Sequence, residues 1–197
     1  MDDHALMKRY AKKGDVAAFE LLMSRHRNQV FGYLVQTCRD RELAEDLYQE
    51  TFIRVIRAAP GYRKTASFRT WLFTIARNLV IDAHRKRKNR PAVQSIDTDG
   101  GFAGSGEMMA LELTDPGPEE LTAGRELRDI IVSAIQALPD QQREMFLLRE
   151  EAGLDYAEAA RIAGCSVNTA KSRMRYALLK IRERIVQEGI VPEEVHS

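Results

Sequence analysis

The sequence predicts an all-α protein built as two small helical domains joined by a flexible linker, and three observations lead there. Apolar residues recur at helical rather than strand spacing almost throughout the 197 residues. The periodic stretches open on Asp or Ser and close at Gly or Pro, the chemistry of helix ends. Between Pro91 and Thr122 the periodicity stops, and Gly100, Gly101, Gly104, Gly106, Pro116, Gly117 and Pro118 punctuate a stretch without Lys, Arg or His. Such a stretch, poor in hydrophobic residues and of one charge sign, cannot repay the entropy of ordering.

In chain order, the first long helix is expected from Asp15, a capping residue after Gly14, with Phe19, Met23, Val30 and Leu34 on one stripe. A second starts near Asp40, buries Leu43, Leu47, Thr51 and Val55, and stops before Pro60 and Gly61. A third begins at Ser67 and aligns Phe68, Leu72, Ile75 and Leu79. Three amphipathic helices make a small bundle with one core. Within the linker, Met108 to Leu113 is the sticky part and could dock as a short helix. Periodicity returns with Leu127, Ile130, Ile131, Ala134, Ile135 and Leu138; Pro139 and Asp140 then restart a helix holding Met145, Phe146 and Leu148, which ends at Gly153.

The segment from Leu154 to Ile185 is the most informative. Asp155 with Glu158 three residues on is a capping box, Gly164 ends that short helix, and Ser166 caps a longer basic one. Ala159, Ala160 and Ala163 let the two helices cross closely while Lys171, Arg173 and Arg175 project from the second. That is the layout of a helix-turn-helix whose second helix enters a major groove.

Charge is segregated along the chain. Residues 1–90 hold 19 Lys/Arg against 10 Asp/Glu, residues 91–122 none against 7, and residues 123–197 hold 11 against 12, so the overall +1 conceals a strongly basic front. A basic front suits approach to a polyanion. Two features of the front sharpen this. From Tyr62 to Asn78, aromatics interleave with Arg63, Lys64, Arg69 and Arg77, the combination that holds phosphates and stacks unpaired bases of single-stranded DNA. Phe68 and Trp71 are assigned to the core, leaving Tyr62 and Phe73 as the stacking candidates, with Asn78 able to donate and accept on a base edge. The run from His84 to Arg90, with Arg85 and Arg87 in it, packs five cations into six residues, more than a helix C-terminus needs. Against these stands a row of Glu42, Glu45, Asp46, Gln49 and Glu50 opposite Leu43 and Leu47. Like charges at i and i+4 repel, so this row makes most sense facing a basic partner.

No catalytic signature is present: no phosphate loop, no dinucleotide glycine fingerprint, no nucleophile elbow and no metal-spaced His pair. The chain is therefore read as no enzyme, with no cofactor and no metal. His4, His26, His84 and His196 are scattered without evident partners. Cys38 and Cys165 are too few and too distant for a disulfide framework or a zinc knuckle. The start lacks the pattern of a signal peptide and no apolar run is long enough to span a bilayer, so no membrane insertion and a cytoplasmic location are expected.

Together these segments resemble bacterial RNA polymerase sigma factors of the extracytoplasmic-function (ECF) group. The front likeness lies in Ala44 to Phe52 and Phe68 to Asp82. The rear likeness lies in Leu138, Pro139, Arg143, Phe146, Leu148, Tyr156, Glu158, Ala160, Gly164 to Val167 and Thr169 to Arg173. The resemblance implies an alternative sigma factor that binds core polymerase at its clamp helices and flap, and directs promoter recognition and strand opening. Its minimal two-domain type would place a region 2 domain at 1–90, the acidic linker at 91–122, a region 4 domain at 123–190 and a tail at 191–197.

Carried across by residue, the likeness puts Asp46, Gln49 and Glu50 on the clamp. It puts Tyr62, Arg63, Lys64, Ser67, Arg69, Phe73, Arg77, Asn78, Arg85 and Arg87 on the melted minus-ten element. Ser166, Asn168, Thr169, Lys171, Ser172, Arg173 and Arg175 fall on the duplex minus-thirty-five element. An anti-sigma factor is a further expected partner. Ala170 departs from the family's larger aliphatic and Asn168 from a frequent glycine, the first implying lighter packing of the recognition helix. Two other readings stand beside this one: a stand-alone helix-turn-helix regulator, and an adaptor that uses its charged faces only for protein contacts.

Overall fold

The structure, a computed structural model, describes residues 1–88 and 118–188, with side chains placed over 1–87 and 127–188. Every regular element among them is helical. The front holds α1 (Asp3–Lys13), α2 (Val16–Cys38), α3 (Arg41–Ala58), a 3-10 turn at Ala59–Gly61, and α4 (Phe68–Lys88); the rear holds α5 (Pro118–Gln136), α6 (Asp140–Glu150), α7 (Tyr156–Ala163) and α8 (Val167–Gln187). Most of the predicted linker, the Met108 to Leu113 patch, Asn89, Arg90 and the tail lie outside the described residues. Helix α5 begins at Pro118, inside the stretch read as linker; Pro is well suited to a first helical turn, where its missing N–H costs nothing.

Capping explains where the helices begin. Asp15 accepts from the Ala18 N–H and Asp40 from the Leu43 N–H, at 3.0 and 3.1 Å. Ser67 accepts from the Thr70 N–H at 3.1 Å to open α4. Each such cap contributes about 1 kcal/mol. Helix α1 is a finding beyond the sequence reading. It is capped by Asp2, closed by Gly14 in the left-handed region (φ 64°), and buries Leu6 and Met7. A part-buried pair holds it down: buried His26 donates through Nε2 to Asp3 Oδ2 at 2.7 Å while Arg25 binds the other oxygen at 2.9 Å. His26 is thus not without a partner, and neither is His4, whose Nδ1 lies 3.5 Å from the Tyr62 hydroxyl.

The front core gathers Leu22, Val30, Leu34, Val55, Leu72 and Phe73, all fully buried, with Tyr33 edge-on to Phe73 at 5.4 Å. Leu43 and Ile75, assigned to that core from their spacing, sit at its margin, while Ala44 is inside. Cys38 is buried beneath the α2–α3 corner, and burial pushes its thiol up to about 11. The rear core is built on Leu138, Met145, Leu147, Leu148, Leu154 and Ala159. Buried Arg143 pins the α5–α6 corner, donating to the Leu138 carbonyl at 3.2 Å and to Asp140 at 2.8 Å.

Candidate nucleic-acid interface

The turn after α3 and the first turns of α4 form an open cleft of about 470 Å³ lined by Arg57, Tyr62, Arg63, Thr65 and Trp71. Its aromatic wall is Tyr62 set edge-on to Trp71 at 4.9 Å, backed by buried Phe68. Arg63 and Lys64 are exposed at the rim, and Asn78 is exposed nearly three turns along α4. The aromatic assignment made from spacing is reversed at two positions. Phe73 is fully buried against Tyr33 and cannot offer a face to a base, whereas Trp71, read as core, is only half-buried and lines the cleft. One α-helical position is about 100°, so residues either side of Leu72 point apart, and the partner helix decides which goes in. Arg85 and Arg87 are exposed on the last turns of α4, Arg87 within 3.4 Å of Asp40.

On α3 the acidic row is partly neutralised within its own helix: Arg41 pairs with Glu45 at 2.9 Å and Arg54 with Glu50 at 3.0 Å. Exposed pairs of this kind contribute only about 0.3–0.5 kcal/mol. Asp46 is exposed and has no ion-pair partner among the described residues; Gln49 is exposed beside it. A solvent-facing acid and amide one turn apart remain for an incoming basic surface.

The rear presents the expected helix-turn-helix. Asp155 accepts from the Glu158 N–H at 2.8 Å and Glu158 from the Asp155 N–H at 3.1 Å, a complete capping box. Gly164 stands at φ 65°, where a side chain would be strained. Ser166 caps α8 by accepting from the Thr169 N–H at 3.1 Å, and its hydroxyl also meets that of Thr169 at 2.8 Å. Ala170 is fully buried with Ala159 and Ala160. On the opposite face Asn168, Thr169, Lys171, Ser172 and Arg175 are exposed; Arg175 lies 5.1 Å over the Tyr176 ring. Arg173 is half-buried and donates to Gln141 Oε1 at 2.7 Å, so Gln141 at the start of α6 orients it, a role with no signal in the sequence.

The rear module rests on the front one. Arg77 Nε donates to Glu144 Oε1 at 2.6 Å, and Glu158 Oε1 accepts from both the Ser67 and Thr70 hydroxyls, at 2.6 and 2.7 Å. Arg69 donates to the Gly153 carbonyl at 3.1 Å. Gln136 reaches Gln36 at 2.7 Å, and the backbone of Gly32 lies so near Glu151 that a Cβ there would meet its carboxylate at 2.2 Å. Burial raises the Glu151 carboxyl above its ordinary range. At Glu158 burial also pushes upward, but the Ser67, Thr70 and Asp155 hydrogen bonds and nearby Arg69 outweigh it and leave that carboxyl low. Ser67, Arg69 and Arg77, all expected on melted DNA, are therefore occupied from within the chain.

Among the described residues no helix is long and apolar enough to cross a membrane. The family profile of Sigma-70 region 2 matches residues 22–90, and that of Sigma-70, region 4 matches residues 128–181. The chain is similar to RNA polymerase sigma-H factor of Pseudomonas aeruginosa, 30% identical over 192 residues covering 95% of this chain and 97% of that protein. It is also similar to ECF RNA polymerase sigma-E factor of Escherichia coli K12, 32% identical over 176 residues covering 88% and 89%. In fold it resembles CnrH, solved with the cytosolic domain of CnrY (TM-score 0.65, 21% identity, covering 94% of this chain and 99% of that one). It likewise resembles RpoE of Bartonella quintana, solved with the anti-sigma factor NepR (TM-score 0.62, 24% identity, covering 85% and 96%). The two matched regions stand in order on one chain, each on the module whose geometry suits it. That combination sets aside the stand-alone regulator and the adaptor. The chain belongs to the sigma-70 family, in its extracytoplasmic-function group, and is an alternative sigma factor acting with RNA polymerase and promoter DNA in transcription initiation.

Proposed function

We propose that this sigma factor divides promoter recognition among three surfaces. The cleft of Tyr62, Arg63 and Trp71, with Lys64 at its rim and Asn78 beyond it, captures unstacked bases of the melted minus-ten element. Helix α8, through Asn168, Lys171, Ser172, Arg173 and Arg175, reads the duplex minus-thirty-five element. Asp46 and Gln49, with Glu50, hold the polymerase clamp. No bond is made or broken by the protein in this reading. Captured bases offset the cost of unstacking, each aromatic contact contributing about 1–3 kcal/mol. The covalent connection between modules raises the effective concentration of the second contact once the first has formed.

The observation that carries this reading is the pairing, on one chain, of a half-open aromatic-basic cleft with an exposed basic recognition helix. Action on polymerase and chromosome fits a cytoplasmic location. Because two proteins of similar fold were solved with CnrY and with the anti-sigma factor NepR, a protein inhibitor is also proposed here. Pull-down of core polymerase followed by run-off transcription tests the division. Asp46→Ala with Gln49→Ala should weaken polymerase capture without lowering Tm, since both side chains are exposed. Undiminished capture by that double variant would remove the clamp assignment.

A further inference from the structure

Among the described residues six residue pairs make polar contacts between the two modules, and four of them involve Ser67, Arg69, Thr70 or Arg77, which flank the minus-ten reader of the proposed function. Glu144 is bound by Arg77; Glu158 is bound by Ser67 and Thr70 and lies near Arg69; the Gly153 carbonyl is bound by Arg69. Each acceptor on the rear module is anionic or carries a lone pair, and each donor on the front is of the kind that binds phosphate oxygens. A carboxylate held by two hydroxyls beside a guanidinium has the charge and hydrogen-bond demand of a backbone phosphate. The remaining two surfaces are differently placed. Asn168, Lys171, Ser172 and Arg175 on α8, and Asp46 and Gln49 on α3, stay exposed.

We infer that the α6–α7 edge of the rear module is a phosphate-mimicking cover for the single-strand reader, with Glu144 and Glu158 seated where two phosphates of melted DNA bind. This inference rests on the proposed minus-ten role of the front module. The closed chain keeps its polymerase-binding and duplex-reading faces available, and leaves the aromatic cleft open, while the phosphate-binding flank beside that cleft, Ser67, Arg69, Thr70 and Arg77, is filled. Melted DNA competes with Glu144 and Glu158 for the same donors, so the reader opens only where a single strand is delivered to it. Glu151, just past the end of α6, lays its carboxylate over Gly32 of α2, in the space a Cβ there would take.

The test uses the full chain without polymerase and a fluorescein-labelled oligothymidine as probe. Glu144→Gln with Glu158→Gln keeps side-chain volume, and Gln at 158 can still close the capping box on Asp155. If the wild-type chain is open about one tenth of the time, releasing the cover raises oligothymidine affinity about tenfold. Glu20→Gln with Glu183→Gln changes net charge equally at exposed positions and should leave affinity near wild type. Small-angle scattering of the same samples should show the radius of gyration growing only for the Glu144, Glu158 variant. An unchanged radius in that variant, or equal tightening in the charge control, overturns the cover. If no chain binds oligothymidine yet the radius still grows, the seam is real but the minus-ten reading beneath it fails, and the cover as stated fails with it.

Discussion

Trp71 and Phe73 provide the sharpest test, because spacing and structure assign them opposite roles. Phe73 is fully buried, edge-on to Tyr33, so Phe73→Ala leaves a cavity in the front core costing about 3–5 kcal/mol. Against a typical domain stability of about 5–15 kcal/mol, that lowers the front module's Tm by more than about 10 °C. Trp71 is half-buried, with its ring set against Tyr62 at 4.9 Å on the wall of the cleft. Trp71→Ala should cost about 1 kcal/mol of stability, since much of the ring already meets water. Its loss should be felt in strand capture instead. One stacked base contributes about 1–3 kcal/mol, so open-complex formation should fall about 5- to 150-fold. Calorimetric unfolding of each variant, paired with run-off transcription by reconstituted polymerase on a supercoiled promoter and on one with a pre-melted minus-ten bubble, separates the effects. Tyr62→Phe serves as the mild control. If Trp71→Ala destabilises as strongly as Phe73→Ala while transcription per folded molecule is unchanged, the cleft is not the base-capturing site.

The remaining tests concern the rear helix and pH. Arg175→Ala should cost about 1–3 kcal/mol on promoters whose upstream base it reads and nothing on others; equal weakening on all sequences, with a shallower salt dependence, would make it a phosphate contact. Gln141→Ala, which frees Arg173 without removing it, should blunt promoter discrimination by gel shift more than it lowers nonspecific affinity. Two carboxylates should give opposite pH dependence in thermal melts. At Asp3 burial pushes upward, but hydrogen bonds from Arg25 and His26 leave its carboxyl low; that stability is present above the unfolded-state value and lost as pH falls through the folded one. Asp3→Asn should therefore flatten the acid limb. Burial raises Glu151, so its contribution is fully present below the unfolded-state value and lost as pH rises through the folded one; Glu151→Gln should raise Tm at neutral pH, and a fall instead would contradict the burial.

Most of the helical framework was legible because helix ends are local chemistry. Asp15, Asp40, Ser67, Asp155 and Ser166 cap the helices expected of them, and Gly164 occupies the left-handed position between the last two. Helix α1 had comparable signals in Asp2 and Gly14. It was missed because its apolar stripe is only Leu6, Met7 and Tyr10, diluted by four Lys and Arg in a run of eleven residues. The exchange of Trp71 and Phe73 could not be read locally. Both flank the stripe of Phe68, Leu72 and Leu79, and the choice is made by Tyr33, nearly forty positions away in sequence. Gln141 beneath Arg173 and the seats of Glu144 and Glu158 were invisible for the same reason: they are contacts between helices whose mutual placement no periodicity specifies.

The make-up of the seam between the modules bears on how it could open. Among the described residues its polar contacts are Gln136 with Gln36 and Arg39, Ser67 and Thr70 with Glu158, Arg69 with a carbonyl, and one ion pair at Arg77. Such polar contacts, each exchanged for water on opening, contribute about 0.5–1.5 kcal/mol apiece, and interfaces of this composition within a chain are typically transient. Glu151 adds a cost, since a buried carboxylate favours return to water. Offset by that cost, a seam of this kind holds the chain closed by about 1–2 kcal/mol net, within reach of two stacked bases and the phosphates between them. Had the same surface been closed by leucines, captured DNA could not displace it. The polar seam thus matches the strength of the cover to that of the ligand it imitates, and replacing Gln36 and Gln136 together with Leu should make oligothymidine binding weaker while leaving duplex binding by α8 unaltered.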